Sequence, residues 1–384
     1  MEYLRNAWVL LRPDAVYVWN DREVVKRLKW YYEVMTNKKP AKFLITKYID
    51  AGVDPKELST KELWKLHNEL SSRFKEVFTK IKEEEPVKKT YKDYIKGLGE
   101  KPKFSYLDVK VEIVKRILRN CHFCEWRCGV NREKGQRGFC RLGVKSYVTS
   151  YFLHMGEESP LVPSGTIFYG SCNFRCAFCQ NFEISQERPF SGIEVGPREL
   201  AIIQRGLRKE GARNINHVGG EPTPNLHNII ESLKYLDINV PQLWNSNMYL
   251  SKESLTILLD VIDIWLPDFK YRSNECAKRL SGIPRYFDVV SRNHKVVCEN
   301  NDPIIIRHLV LPNHLECDTK PILEWIASNC CHALVNIMEQ YRPEYLVARY
   351  PEKYPDISRR PSRKEMQEAY SYARKLGILF EPVS

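Results

Sequence analysis

The 384-residue chain has no long hydrophobic run. None of its apolar stretches reaches the roughly 18–20 residues that a bilayer-spanning helix requires, which excludes a helical membrane span. Its opening segment, MEYLRNAWVLLRPDAVYVWN, has charges on both sides of a short apolar run and lacks a small-residue cleavage site. No signal peptide is read there, and a cytoplasmic location is expected. The sequence also lacks low-complexity tracts and internal repeats of 20–50 residues, which sets aside disordered tails and solenoids. What is present is 43% hydrophobic and 11% aromatic residues. That is core material for one large α/β domain and a smaller appendage.

Acidic residues are in deficit: 48 Asp and Glu face 60 Lys and Arg, a net charge of +12. Residues 1–105 alone hold 23 basic against 16 acidic side chains. Such a surplus suits nucleic acid, an acidic protein or an anionic reductant, and equally a solvated Lys/Glu-rich surface. Cysteine is abundant, with twelve in the chain. In a reducing compartment these are read as metal ligands or catalytic thiols before disulfides. Seven lie between Cys121 and Cys179, whereas Cys276, Cys298, Cys317, Cys330 and Cys331 show no ligand spacing and are taken as incidental thiols.

The organisation changes along the chain. Residues 1–105 are expected to be a basic helical region ending in a linker from about Glu83 to Ser105. In STKELWKLHNELSSRFKEVFTKIK, Ser59 and Glu62 form a capping box. Leu63, Leu66, Leu70, Phe74, Val77 and Ile81 follow as an apolar stripe, with His67 off it and exposed. Residues 106–164 form a Cys-rich segment entered by the helix YLDVKVEIVKRILRN. Residues 165–384 alternate strand and helix in about six units: TIFYGS, NINHVGG, PQLWNSN, DIWLPDF, PIIIRHLVLP and ALVNIMEQY are the strands. Alternation of this kind predicts parallel strands joined by helical crossovers. Six units suit an open, partial (β/α)6 barrel whose ligands gather at the strands' carboxyl ends.

The loop after the first of these strands reads GSCNFRCAFCQN, with Cys172, Cys176 and Cys179 spaced C-x3-C-x2-C and no local fourth cysteine. A closed zinc site or an ordinary ferredoxin cluster takes four ligands. Three thiols on a four-iron cluster leave one iron open. A zinc knuckle with a distant fourth ligand is the alternative. The spacing, with Phe178 before the last cysteine, resembles the signature of radical S-adenosylmethionine (SAM) enzymes. HVGGEP resembles that family's glycine-rich turn at the end of strand two, where Gly219, Gly220 and Glu221 would bind the amino end of SAM. WNSNMYL, WLPDFKY and IIRHLVLPN resemble segments of pyruvate formate-lyase activating enzyme and its relatives, and MEQYRP points to an activating-enzyme-like branch. The resemblance spans roughly residues 106–345. It implies that Asn245 or Asn247 faces the cofactor and that Asp268 ligates a monovalent cation. It implies further that Lys270 pairs with the SAM carboxylate and acts as a catalytic group, and that Arg307 or His308 completes the pocket. A structural Asp268–Lys270 ion pair is the plainer reading. That branch carries a Thr-Pro-His turn where this chain reads GGEPTPNLH, so the contact there is expected to follow the general superfamily pattern.

A second group, CHFCEWRCGVNREKGQRGFC, places Cys121, Cys124, Cys128 and Cys140 at C-x2-C-x3-C-x11-C. Four thiols at these intervals can hold zinc or an auxiliary iron–sulfur cluster. Arg127, Arg132, Lys134, Arg137 and Arg141 around them would serve a nucleic-acid-binding zinc module, or are surface charges on a glycine-rich loop.

The resemblance implies an iron–sulfur enzyme that reductively cleaves SAM to a 5′-deoxyadenosyl radical and abstracts hydrogen from its substrate. A low-potential donor such as ferredoxin or flavodoxin and a protein substrate, the glycine of a glycyl-radical enzyme, are the implied partners. The competing readings are radical modification or methylation of a small molecule, lipid or RNA, and a non-enzymatic metal-binding or electron-transfer protein.

Overall fold

A computed structural model describes residues 8–384; the first seven residues of the opening segment lie outside the described residues. Short helices come first: α1 (Arg22–Arg27), α2 (Lys29–Met35), α3 (Lys42–Thr46), the long α4 (Thr60–Glu83), α5 (Tyr91–Gly97) and α6 (Tyr106–Arg119). The barrel follows: β1 (Ser146–His154), β2 (Ser164–Tyr169), β3 (Ile193–Val195), α7 (Pro197–Glu210), β4 (Asn214–Gly219), α8 (Leu226–Ser232), β5 (Gln242–Ser246), α9 (Lys252–Leu259), β6 (Ile264–Pro267), α10 (Asn274–Ser281), α11 (Tyr286–Glu299), β7 (Ile305–Leu309), α12 (Lys320–Asn329), β8 (Leu334–Met338), α13 (Tyr345–Arg349) and α14 (Arg363–Lys375).

The six expected strands form, all parallel, in the order β2-β4-β5-β6 and then β7-β8. Parallel bridges Trp265–Ile304 and Asp268–Arg307 join β6 to β7, so the two sheets make one curved, partial barrel. Two antiparallel strands extend the β2 edge: β1 pairs with β2, and β3 pairs with β1. Neither is among the strands expected from the sequence. β1 is half-exposed over most of its length, so it lacks the apolar run that marks the interior strands.

The amino-terminal helices pack against the barrel's flank. One hydrophobic core runs from Trp30 and Phe43 through Phe74 and Tyr106 to Trp244, Trp265 and Phe380, and a second joins Val24, Leu28 and Tyr31 to Leu243, Leu266 and Leu334 of the strands. Buried polar links stitch the two parts together. Lys42 Nζ meets Asp302 at 2.6 Å, Trp30 Nε1 donates to Asp263 at 2.9 Å, and Lys110 Nζ lies 3.2 Å from Asp260. The expected linker is corrected: within it α5 forms, capped by Thr90 and Asp93, and buries Tyr94, while the backbone of Ala51 and Phe104 closes a hydrogen bond.

The capping box of α4 is present, but its buried stripe is Leu63, His67, Leu70, Phe74, Phe78 and Ile81. His67 is therefore buried, not exposed. Its ring lies 3.2 Å from the Tyr106 hydroxyl and 3.1 Å from Lys110 Nζ. Burial, with the Lys110 charge adding, pushes its pKa down to about 3, so it packs as a neutral ring. Its polar partners, Tyr106 and Lys110, both lie on α6.

Candidate active site

Every strand of the parallel run delivers side chains to the same end. A cavity of about 240 Å³ opens there, walled by Cys172, Cys176 and Cys179 after β2, Gly219–Glu221 after β4 and Asn245–Asn247 at the end of β5. Asp268 and Lys270 after β6, Arg307 and Leu309 on β7, and Met338 and Gln340 at β8 complete the wall. This end of a parallel α/β sheet is where ligands bind, because loops there diverge over the strands' exposed carbonyl ends.

The cysteine loop is held by neighbours on three sides. Arg175 N and Ala177 N donate to the carbonyls of Ser281 and Leu280 at the end of α10, at 2.9 and 2.7 Å. The Ser281 hydroxyl donates to Cys176 Sγ at 3.0 Å, and the Ser185 hydroxyl lies 3.2 Å from Cys179 Sγ. Phe174 N donates to Cys172 Sγ at 3.3 Å. Phe178, buried, sets its edge on Tyr341. Burial is the leading influence on all three thiols. It pushes Cys176 up to about 12, with the Cys179 charge adding and Lys270 opposing, and raises Cys172 well above its ordinary value, with the Glu221 charge adding. Thiols held in a dry pocket become thiolates only when a cation replaces the protons, so this donor set fits a metal cluster.

The glycine pair answers to the chain's own backbone. Gly219 has φ of +119°, and a Cβ there would stand 2.2 Å from Tyr169 N; a Cβ on Gly220 would meet the Ser171 carbonyl oxygen at 1.8 Å. The two glycines thus let the β4 turn lie directly against the root of the cysteine loop. The Glu221 carboxylate is saturated by protein donors: Thr223, the Ser246 hydroxyl at 2.6 Å and Asn247 N at 3.0 Å. It ties the ends of β4 and β5 together. Asn245 lines the cavity with its Nδ2 unpartnered, a buried donor free to receive a ligand. Asn247 is engaged with Asn173 Oδ1 at 2.7 Å and with Tyr249 N.

Asp268 and Lys270 form an ion pair at the cavity rim. Arg307 faces the cavity, yet its guanidinium is spent inward on Glu158 at 2.6 and 2.7 Å, on Glu157, and on Asn245 Oδ1 at 3.3 Å. His308 is corrected: it does not line the cavity. Its ring is buried between the Phe269 carbonyl at 2.8 Å and the Thr319 hydroxyl at 2.9 Å. Adjacent strand residues point to opposite faces, so only one of the two can face the site. Glu157 and Glu158 were not singled out from the sequence. The signal was a pair of acids in the short GEESP stretch between apolar segments.

The second cysteine group sits against the first. Trp126 Nε1 donates to the Asn173 carbonyl at 2.8 Å, the Ser171 hydroxyl donates to the Cys140 carbonyl, and Trp126 stacks on Phe139 at 3.9 Å. Burial raises the Cys124 and Cys140 thiols, and the neighbouring cysteines of the group add to it. The surface reading of the basic residues needs correcting at Arg132. It is buried and donates to the carbonyls of Gly143 at 2.9 Å and Pro224 at 2.8 Å. Arg127 is paired with Glu253 and Glu125. His122 bonds the Asn120 carbonyl through Nδ1 at 2.6 Å.

Residues 166–326 match the model of the Radical SAM superfamily. The chain belongs to this superfamily, whose members use a four-iron cluster and SAM for enzymatic radical chemistry. It is 44% identical over 357 residues to the "uncharacterized protein MJ0674" of Methanocaldococcus jannaschii, covering 92% of this chain and 98% of that one. Among solved structures it is similar to Streptococcus suis SuiB bound to the precursor peptide SuiA, at 15% identity and TM-score 0.40, covering 55% of this chain and 45% of SuiB. A domain of pyruvate-formate lyase-activating enzyme from Bacteroides vulgatus is similar at 17% identity and TM-score 0.36, covering 44% of this chain and 96% of that domain. Among the described residues no helix is long and apolar enough to cross a membrane.

Proposed function

We propose that Cys172, Cys176 and Cys179 hold the four-iron cluster, and that the cavity beside them binds SAM against the Gly219–Glu221 turn and Asn245. When bound and reduced, this pair supplies a 5′-deoxyadenosyl radical able to abstract hydrogen from carbon. The chain's own residues orient and shield. Asn245 offers its free Nδ2 to the cofactor, and Glu221 keeps the two strand-end turns in register. Lys270, partnered by Asp268, places an ammonium at the rim where a carboxylate can exchange for the aspartate. Asp268 is also the group to which a monovalent cation would bind. Arg307 acts as a positioning residue, holding Asn245 in place through its anchor on Glu157 and Glu158. Phe178 and Phe174 keep the pocket dry, which tunes a cluster's potential. Cys121, Cys124, Cys128 and Cys140 hold a second metal, zinc or an iron–sulfur cluster, packed on the first loop.

The observation that carries this reading is the convergence of three thiols, one buried and two half-buried, a glycine turn and an unpartnered amide on one cavity. The substrate we propose is a polypeptide segment, a glycine of a partner protein, entering at the open side of the partial barrel; a ferredoxin- or flavodoxin-type protein delivers the electron. The test is EPR of the anaerobically reconstituted, dithionite-reduced chain. The spectrum should change shape on adding SAM, and 5′-deoxyadenosine should form. Alanine at Cys172, Cys176 or Cys179 should abolish both, and activity retained in all three variants would refute the assignment.

A further inference from the structure

Four side chains outside the cavity converge where α10, the turn before α12 and the carboxy-terminal extension meet. One ligand atom each from Cys276, His314, Cys317 and Asp318 lies within 4.8 Å of the others. Two of the four, His314 and Asp318, are buried, Cys276 is half-buried, and Cys317 is exposed and gives access from solvent. Three of the separations are 3.4 Å from Cys317 Sγ to His314 Nδ1, 3.7 Å from Cys317 Sγ to Asp318 Oδ2, and 2.9 Å from His314 Nδ1 to Asp318 Oδ2. A tetrahedron with Zn–S of about 2.3 Å and Zn–N and Zn–O of about 2.0–2.2 Å has edges from about 3.3 Å between N and O to about 3.8 Å between the two sulfurs. The two Cys317 distances are already of that size, those of Cys276 lie within 4.8 Å, and the His–Asp hydrogen bond has to open by about half an ångström.

The surroundings supply what such a site needs. His314 Nε2 faces the Asp356 carboxylate at 2.9 Å, which fixes the ring and leaves Nδ1 toward the other three donors. Asp356 is itself held by Arg279. The second oxygen of Asp318 accepts from Arg272 N and Ser273 N, at 2.7 and 3.0 Å. A carboxylate behind the histidine and backbone donors behind the aspartate are the supports that orient metal ligands. Both ring nitrogens of His314 point at carboxylates, a geometry met either by an imidazolium or by a cation in place of the Nδ1 proton.

We infer that Cys276, His314, Cys317 and Asp318 form a closed, structural zinc site. Binding would release the two thiol protons and the proton on His314 Nδ1, and fasten the start of α10 to the loop before α12. The far end of the same helix, at Leu280 and Ser281, is what holds the cysteine loop through Arg175, Ala177 and Cys176. The donor pair of thiolates with imidazole and carboxylate favours zinc over magnesium or calcium.

The test titrates the reduced full-length chain, stripped of metal, with zinc alone against a chromophoric chelator. Wild type should bind one more equivalent than Cys317→Ser, while Cys128→Ser, in the other group, should keep that equivalent. In crystals of zinc-loaded wild type, anomalous scattering at the zinc edge should place a peak between Cys276 and Cys317. Equal zinc binding by wild type and Cys317→Ser, absence of that peak, or a Cys276–Cys317 disulfide under reducing conditions would overturn the proposal. If the Cys317→Ser chain does not fold, the crystal of wild type decides.

Discussion

At Gly220 an added Cβ would stand 1.8 Å from a backbone oxygen, a contact that no rotamer change relieves. Gly220→Ala should therefore cost at least about 1–3 kcal/mol and move the turn off the cysteine loop. Chemical denaturation and iron content should fall together, and a variant of wild-type stability would show that the two loops are not in this register. A second residue-scale expectation concerns Lys47. Its ammonium is buried and bonded to the Leu236 carbonyl, and burial, followed by the Lys101 charge, lowers its pKa from 10.5 to about 7. Between those values the unfolded chain binds a proton that the folded chain has shed, so stability rises with pH across pH 7–10.5 and the contribution is lost as pH falls through 7. Thermal melts of the metal-free chain should show this rise, and Lys47→Met should flatten it. At this scale much of the candidate site was legible, because the cysteine spacing and the glycine pair are local patterns. Asn245 was named, but not that it and Asn247 differ in having a free amide. The roles of Glu157, Glu158, Cys276 and Cys317 were not legible, because their partners come from distant stretches of chain.

Helices and strands follow the sequence where burial sets a clean period. The six expected parallel strands form, five within their predicted stretches and β2 beginning two residues before TIFYGS, at Ser164. The pattern fails where polar partners replace apolar ones. On α4, His67 occupies a core position that Leu66 was expected to fill, because Tyr106 and Lys110 supply hydrogen bonds that sequence periodicity does not register. The antiparallel strand β1 was missed because much of it is exposed and it carries no continuous apolar run. One helix offers a simple check. Gly206 lies inside α7, and a Cβ there meets nothing within 4 Å. Gly206→Ala should stabilise the chain by about 0.5–1 kcal/mol through helix propensity alone. Denaturant melts read this, and a destabilised variant would mean that the helix face is more crowded than described.

Over the whole molecule, the amino-terminal helices and the barrel share both hydrophobic cores, and the charges between them are buried in pairs. Lys42 and Asp302 are essentially inaccessible, and Asp302 also accepts from Trp265 Nε1 at 3.1 Å. Lys42→Ala would leave that carboxylate buried without its cation, a loss of about 3–5 kcal/mol. Thermal unfolding should show a single transition moved down, with the helices and barrel melting together. Separate transitions for the two parts would contradict the shared cores. None of this was legible from charge counting, which registered a basic amino-terminal quarter but could not say that part of that charge faces inward.

Cys298 on α11 and Cys330 after α12 are joined as a disulfide, and both are almost wholly covered by protein. Exchange with an external thiolate needs access to a sulfur, so this bond is sheltered from external reductants; the other ten cysteines form no disulfide. A thiol-reactive dye added to metal-free chain that has been unfolded without reductant should therefore count ten sulfhydryls. After reduction in the unfolded state it should count all twelve.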